Sequence, residues 1–397
     1  MSTIHARFRF VSIAVLAAIL GLAGSAAAQN EADFQNVWVH YDYMVFPKGW
    51  TSLAGVTYPD GLSMAPSREA IDKVVDAFAA QGLTLHIDPE HNAIPGHQVL
   101  IPDFLPGWSN PGQACVGPDA VSFLKLKNRY FRPLGNHPWH YAIFAFNAGL
   151  PDTGVGSLCP ADLAAGPTAF PNPLGSGLSE LPGFNFIVSF GADLDQGFIN
   201  DLNDYRVGGT FMHELGHNFG LEHGGVIMQF GVLSAEVYLT NKPNYISVMN
   251  YSYQNGILFA ASLGSTMPIG KRLDYSNAEL APLNEADLDE FVGVNAGTTD
   301  IVINWNSRPP CNGFALGPAQ GPIDWNCDGA LELHAAGDLD NDNGSPNSTL
   351  HGFDDWSYIK QQLQLPPDVI ESGLKRIQYE EPARDPLSSS PEIKLPN

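Results

Sequence analysis

Residues 213–225 read HELGHNFGLEHGG, a short stretch that carries three histidines and a glutamate. His213 and His217 stand four positions apart, so in a helix they share one face a turn apart and can aim two imidazole nitrogens at one point. Gly220 follows His217 by three residues, where a helix can stop in the left-handed conformation that costs glycine little. The chain can then turn and bring His223 in from another side. Three protein ligands leave a fourth position open to water, which is how catalytic zinc differs from structural zinc. Zinc lowers the pKa of such a water to about 7, and Glu214, beside the first ligand, is placed to take its proton during attack on a carbonyl. HExxH alone is a weak signal. The longer HExxHxxGxxH is far stronger: with 12 His and 40 Gly in the chain, independent placement produces it on the order of once in ten thousand chains.

Such a constellation needs rigid elements around it. Phe211, Leu215 and Phe219 repeat at the ligands' spacing but two residues out of phase, which predicts an apolar stripe anchoring the opposite face of the helix. Upstream, SREAIDKVVDAFAAQG sets Ile71, Val74, Val75 and Phe78 at helical spacing between Ser67 as N-cap and Gly82 as stop signal. LTLHID alternates Leu83, Leu85 and Ile87 and predicts a half-buried strand. WHYAIFAF (139–146) and FNFIVSF (184–190) are aromatic and β-branched runs that read as sheet strands, and the Pro/Gly-rich residues 149–183 between them read as a long surface loop. A helix, two or more strands and then the histidine helix predict an α+β or α/β sandwich.

Downstream lies NYISVMNYSY, residues 244–253. HELGHNFGLEH followed by SVMNY resembles the metzincin clan of zinc endopeptidases, whose Met-turn passes beneath the metal. The resemblance implies that His213, His217 and His223 bind zinc and that Met249 supports the site without binding the ion. It also implies that Tyr251 is the tyrosine several metzincin groups use as a swinging fifth ligand or oxyanion donor. WVHYDYM, the helix at 67–82, LTLHID, HYAIFAF and DYSNAELAPLNEADLDE extend the likeness to bacterial secreted metzincins of a reprolysin-like type, over about residues 34–295. The chain departs from the better-known families after His223, where Gly224 and Gly225 stand in place of a characteristic side chain. The fold so implied is α+β: a twisted mixed sheet with the active-site helix, a small lower subdomain, and a cleft in which an extended substrate pairs with an edge strand. The activity implied is hydrolysis of peptide bonds in a protein or peptide substrate, by a zinc-bound water that Glu214 activates before returning the proton to the leaving amine. Two other readings stand beside it. One is an inactive metal-holding scaffold or binding protein acting through an acidic C-terminal module; the other is a zinc hydrolase of a non-peptide bond.

The rest of the chain sets the context. Residues 1–28 carry Arg7 and Arg9, an apolar run from Val11 to Leu22 and then Ala26, Ala27 and Ala28, the pattern of a signal peptide whose apolar part is too short to span a membrane comfortably. The expectation is an exported monomer, extracellular or periplasmic, with no stable membrane anchor and a mature part starting near Gln29. The 19 Lys+Arg against 42 Asp+Glu give a net charge of −23, which argues against nucleic acid as a partner and leaves carboxylates free for a hard cation. Four cysteines in an oxidising compartment favour two disulfides, with three connectivities open. Pairing Cys115 with Cys159 and Cys311 with Cys327 joins neighbours in sequence, whereas a free Cys115 could instead reach over and block a metal.

The expected domains are a metzincin-like catalytic domain at 29–300, a small Asp/Gly-rich module at 301–365 and a disordered Pro/Ser-rich tail at 366–397. DWNCDGALE presents Asp324, Asn326 and Asp328, and DLDNDNG presents Asp338, Asp340 and Asp342, each the first half of an EF-hand-like calcium loop without the glutamate at its twelfth position. Glu332, Asp354 or Asp355 are the candidates for the missing carboxylate. Plain Asp/Asn/Gly turns are the alternative.

Overall fold

The computed structural model describes residues 35–105, 119–148, 176–195, 197, 203–226, 228–229, 232–260, 268–294, 301–307, 313–340 and 348–364. Residues 1–28, expected to be a signal peptide, Cys115, Cys159, Cys311, Asp342 and residues 366–397 lie outside the described residues. Cys327 is disulfide-bonded.

The main sheet is built around β1 (Asn36–Phe46), the longest strand, which pairs in parallel with β3 (Thr84–Ile87), β4 (Ala93–Pro95) and β5 (Trp139–Ala145), and antiparallel with the short β2 (Leu62–Ser63). β5 in turn pairs in parallel with β7 (Asn185–Ser189), and β6 (Gly177–Ser179) closes that side as an antiparallel edge strand. Every residue of β5 and β7 is buried, as befits parallel strands covered on both faces, which explains why their sequences run apolar without alternation. The expectation of a loop through 149–183 therefore fails at its end. The short GLS segment has too few residues to show a period, and its strand character comes from its pairing with β7.

Five α-helices are described: α1 (Arg68–Ala80), α2 (Phe123–Tyr130), α3 (Gly191–Asp195), α4 (Asp204–Asn218) and α5 (Asp355–Gln362). α1 starts on the expected cap, with the Ser67 hydroxyl accepting from the Ala70 amide, and Gly82 beyond its end has φ +74°. Its buried face is Ile71, Val74, Ala77 and Phe78. α4 lays the predicted stripe on the sheet: Phe211 meets Phe186 at 5.4 Å and Phe144 at 5.8 Å between ring centroids, and Phe219 reaches Phe78 of α1 at 6.4 Å. Rings of this size, fully enclosed, fix the rotation of α4 about its axis, and truncating one to alanine costs about 3–5 kcal/mol.

A second core gathers Ile246, Tyr253 and Ile257 with Ile303, Trp305, Trp325, Leu339 and Leu350. Its sheet is antiparallel, β9 (Pro268–Arg272), β8 (Ile257–Ala260), β10 (Ile301–Ser307) and β11 (Gly313–Pro318) in that order. Packing thus runs across residue 300. The chain then returns: Trp356 and Ile359 of α5 belong to the first core, with Trp356 edge-on to Phe78 and Tyr275 at 5.0 and 4.9 Å. Among the described residues no helix is long and apolar enough to cross a membrane.

Candidate metal centre

α4 begins with the Asn203 side chain accepting from the Arg206 amide and carries Asp204 in its first turn, where a negative charge suits the helix dipole. It ends as the sequence predicts. Gly220 takes φ +91°, and the Leu221 amide reaches back to the Gly216 carbonyl, turning the chain toward His223.

The three histidines are buried and their Nε2 atoms converge: 3.1 Å between His213 and His217, 3.2 Å between His217 and His223, and 3.1 Å between His213 and His223. Nitrogens held at about 2.0–2.1 Å around a tetrahedral ion lie roughly 3.3 Å apart, close to this triangle. The tautomers point the same way. His213 Nδ1 donates to the Val248 carbonyl at 2.7 Å and His217 Nδ1 to the Leu221 carbonyl at 2.7 Å, so both rings present a bare Nε2 lone pair to the common centre. Lone pairs crowded together in this way repel unless a cation sits among them. The donor set therefore fits a metal, and a borderline-soft ion such as zinc suits three imidazoles.

Glu214 is fully buried, and its carboxyl lies against β6 so tightly that a Cβ at Gly177 would overlap it. Ser179 Oγ, on the same strand, donates to the Glu214 carbonyl at 2.9 Å. Asn218 adds a second tie, with Nδ2 donating to Ser179 Oγ, Glu180 O and Asn185 O at 2.6, 3.1 and 3.1 Å, while its Oδ1 faces His140 Nδ1 at 3.0 Å. Burial pushes the His140 imidazole down to about 4, so it is neutral at physiological pH. Met249 is buried beneath α4, its sulfur where a Cβ on Gly216 would stand. Tyr251 packs its ring on the metal group, 4.6 Å from His223 and 5.8 Å from His213 between centroids.

The two glycines after His223 have a structural reason. Gly224 runs so close to the backbone of Glu236 that a Cβ has no room, its amide donates to Val237 O at 2.7 Å, and Gly225 adopts φ +82°. Lys242, fully buried, donates from Nζ to Gly224 O at 2.7 Å, Glu236 Oε1 at 3.0 Å and His351 O at 2.6 Å, which uses all three of its donors. Burial pushes the Lys242 ammonium down and the Glu236 carboxylate opposes that. Glu222, next to His223, is buried, and that burial pushes its carboxyl up to about 8.

The acidic loops divide. In the first, Asp324 accepts from the amides of Asp328 and Gly329 at 3.1 and 2.9 Å, and Asp328 accepts from Ala330 at 2.8 Å, so Asp324, Asn326 and Asp328 close an Asx-type turn on its own backbone. In the second, Asp338 and Asp340 lie with Glu285, their ligand atoms within 4.8 Å of one another. The carboxylate that joins the second loop is thus Glu285, from far upstream, and not Glu332, Asp354 or Asp355. Asp354 caps α5, Asp355 lies under the Met-turn region, and the Glu332 amide donates to Glu290. No local sequence signal marks Glu285, Gly177, Asn218 or Lys242.

Fold and site together define a mixed α+β protein with a buried three-histidine group that could hold a metal ion. The Peptidase M66 family model matches residues 197–234, a small part of the chain that contains His213, Glu214, His217 and His223, and this match supports a peptidase. No curated protein and no solved structure matches the chain.

Proposed function

We propose that the chain is a secreted, zinc-dependent endopeptidase of the metzincin type, exported by residues 1–28 and acting as a monomer on protein or peptide substrates. The observation that carries this reading is the triangle of converging Nε2 atoms with Glu214 buried beside it. His213, His217 and His223 would hold the ion, which supplies Lewis acidity toward water and a substrate carbonyl. Glu214 takes the proton of the attacking water and returns it to the leaving amine. Tyr251, packed on His223, is the donor to the developing oxyanion. β6, the outermost strand of the sheet among the described residues, lies against Glu214, and an extended peptide pairing with main-chain groups beside that carboxyl is the substrate this reading favours over a non-peptide ester or amide. The fit of Glu214 against β6 favours an active enzyme over an inactive scaffold, because a module that only held metal has no use for an enclosed carboxylate there.

The test is casein cleavage by the purified protein with and without a chelator, beside Glu214→Ala with its zinc content measured. Removal of a general base costs about 10²–10⁴-fold in rate. The variant is expected to keep one zinc and lose activity by that factor; full activity in the variant removes Glu214 from the mechanism. The proposal of a calcium ion now falls on Glu285, Asp338 and Asp340, and titration calorimetry of the full chain with calcium showing no uptake would end it.

A further inference from the structure

Asp355, the first residue of α5, is fully buried some hundred residues beyond the Met-turn in sequence, yet its carboxylate is committed to that turn. Oδ1 accepts from the Tyr245 hydroxyl at 2.7 Å, and Oδ2 accepts from Ser247 Oγ at 2.5 Å and from the Ser276 amide at 3.2 Å. Ser247 is spent as a relay. Its proton goes to Asp355, so its lone pairs face the Met249 amide, which donates to Ser247 Oγ at 3.1 Å. The residue between, Val248, is held by its own amide on Asp274 O at 2.9 Å and presents the carbonyl that accepts from His213 Nδ1 at 2.7 Å. A chain of hydrogen bonds therefore runs from Asp355 through Ser247 into the segment that fixes the tautomer and ring plane of the first histidine.

We infer that Asp355 is a positioning residue of the metal centre, setting the Met-turn so that His213 keeps its Nε2 aimed at the ion. The inference rests on the proposed metallopeptidase reading. In its ionised form, which the hydrogen bonds from Ser247, Tyr245 and Ser276 favour against burial, a carboxylate suits the task because it accepts three hydrogen bonds and offers no proton, so each donor around it is forced into one orientation. An amide in its place turns one oxygen into a donor facing a hydroxyl or an amide, and the Ser247 hydroxyl must rotate. Partners at this remove from a metal typically change its affinity by about 10–100-fold when mutated.

The experiment uses the full chain and reads zinc release to a chromogenic chelator, with the visible spectrum of the cobalt(II)-loaded protein as a second readout of ligand geometry. Wild-type protein is measured first; if it takes up no metal, the metallopeptidase reading fails, whatever Asp355 does. If it binds one ion, Asp355→Asn is expected to release it at least about ten-fold faster and to shift the cobalt bands. Ser247→Ala, a smaller change that leaves α5 untouched, is expected to act in the same direction, and the double variant to be no worse than the stronger single one, since both cut one relay. Asp354→Ala strips the N-cap of the same helix without touching the turn and is expected to release zinc at the wild-type rate. The inference is overturned if Asp355→Asn keeps its metal as the wild type does, if Asp355→Asn fails to fold while Ser247→Ala behaves as wild type, or if Asp354→Ala loosens the metal equally.

Discussion

At the scale of single residues, the site is defined as much by what is missing as by what is present. Gly177 leaves room for the Glu214 carboxyl, and a methyl group there would meet its Cγ and Cδ as well as its oxygen, so rotating the carboxyl end alone does not relieve the contact. Gly177→Ala is expected to lower kcat by about ten-fold or more, in line with the cost of misplacing a catalytic group, while zinc content by atomic absorption stays at the wild-type level. Unchanged kcat would mean that β6 yields instead. A second residue-scale prediction concerns the opposite face of the sheet, where His40 is enclosed between Asp88, 2.9 Å from Nδ1, and Asp42, 3.3 Å from Nε2. Burial works against the imidazolium, but the hydrogen bonds and charges of Asp42 and Asp88 outweigh it and raise the pKa above 6.5. A raised folded-state value means that the histidine's contribution is fully present below about 6.5 and fades as pH climbs through the folded value. The gap in urea midpoint between wild type and His40→Gln should therefore narrow on going from about pH 6 to about pH 9. A gap that widens would show that His40 is neutral in the native state.

At the scale of elements, much was legible and the reason is locality. α1 announced itself through its cap, spacing and stop glycine, α4 through spacing and Gly220 alone, and the three histidines are read from one helix and the turn after it. β5 and β7 were legible because fully covered strands carry a mostly apolar, non-alternating run. What escaped is what depends on partners distant along the chain. β6 has three residues and no pattern of its own. Asn218 reads as an ordinary motif filler until Ser179, Glu180 and Asn185 are seen around it. Gly224 and Gly225 looked like a departure from a family pattern, and their cause lies in the backbone of Glu236 and the ring of Phe353. Lys242 would pass for a surface cation in any window of sequence, because only folding surrounds it with Gly224, Glu236 and His351.

At the scale of the whole molecule, the three-histidine group lies where the two cores meet. Met249 and Tyr245 belong to the first core, and Ile246 and Tyr253, which bracket the turn, to the second. An ion bound by three buried histidines stabilises the native state alone, so it should raise the unfolding temperature of everything that unfolds with it. Differential scanning calorimetry is expected to show one cooperative transition in the loaded protein. Chelation should move the melting of both cores down together, by about 1–2 °C for each kcal/mol in a chain of this length. A chelated sample in which only one of two resolved transitions moves would mean that the cores melt independently.

The return of α5 to the first core has a consequence for the order of events during synthesis. Residues 348–364 bring His351 to Lys242 and Asp355 to Ser247, so the floor beneath the histidines joins two segments that are distant along the chain. A nascent chain halted before that stretch holds His213, Glu214, His217 and His223, yet lacks the struts beneath them. If the chain is the peptidase proposed above, its hydrolytic competence waits for α5 to emerge.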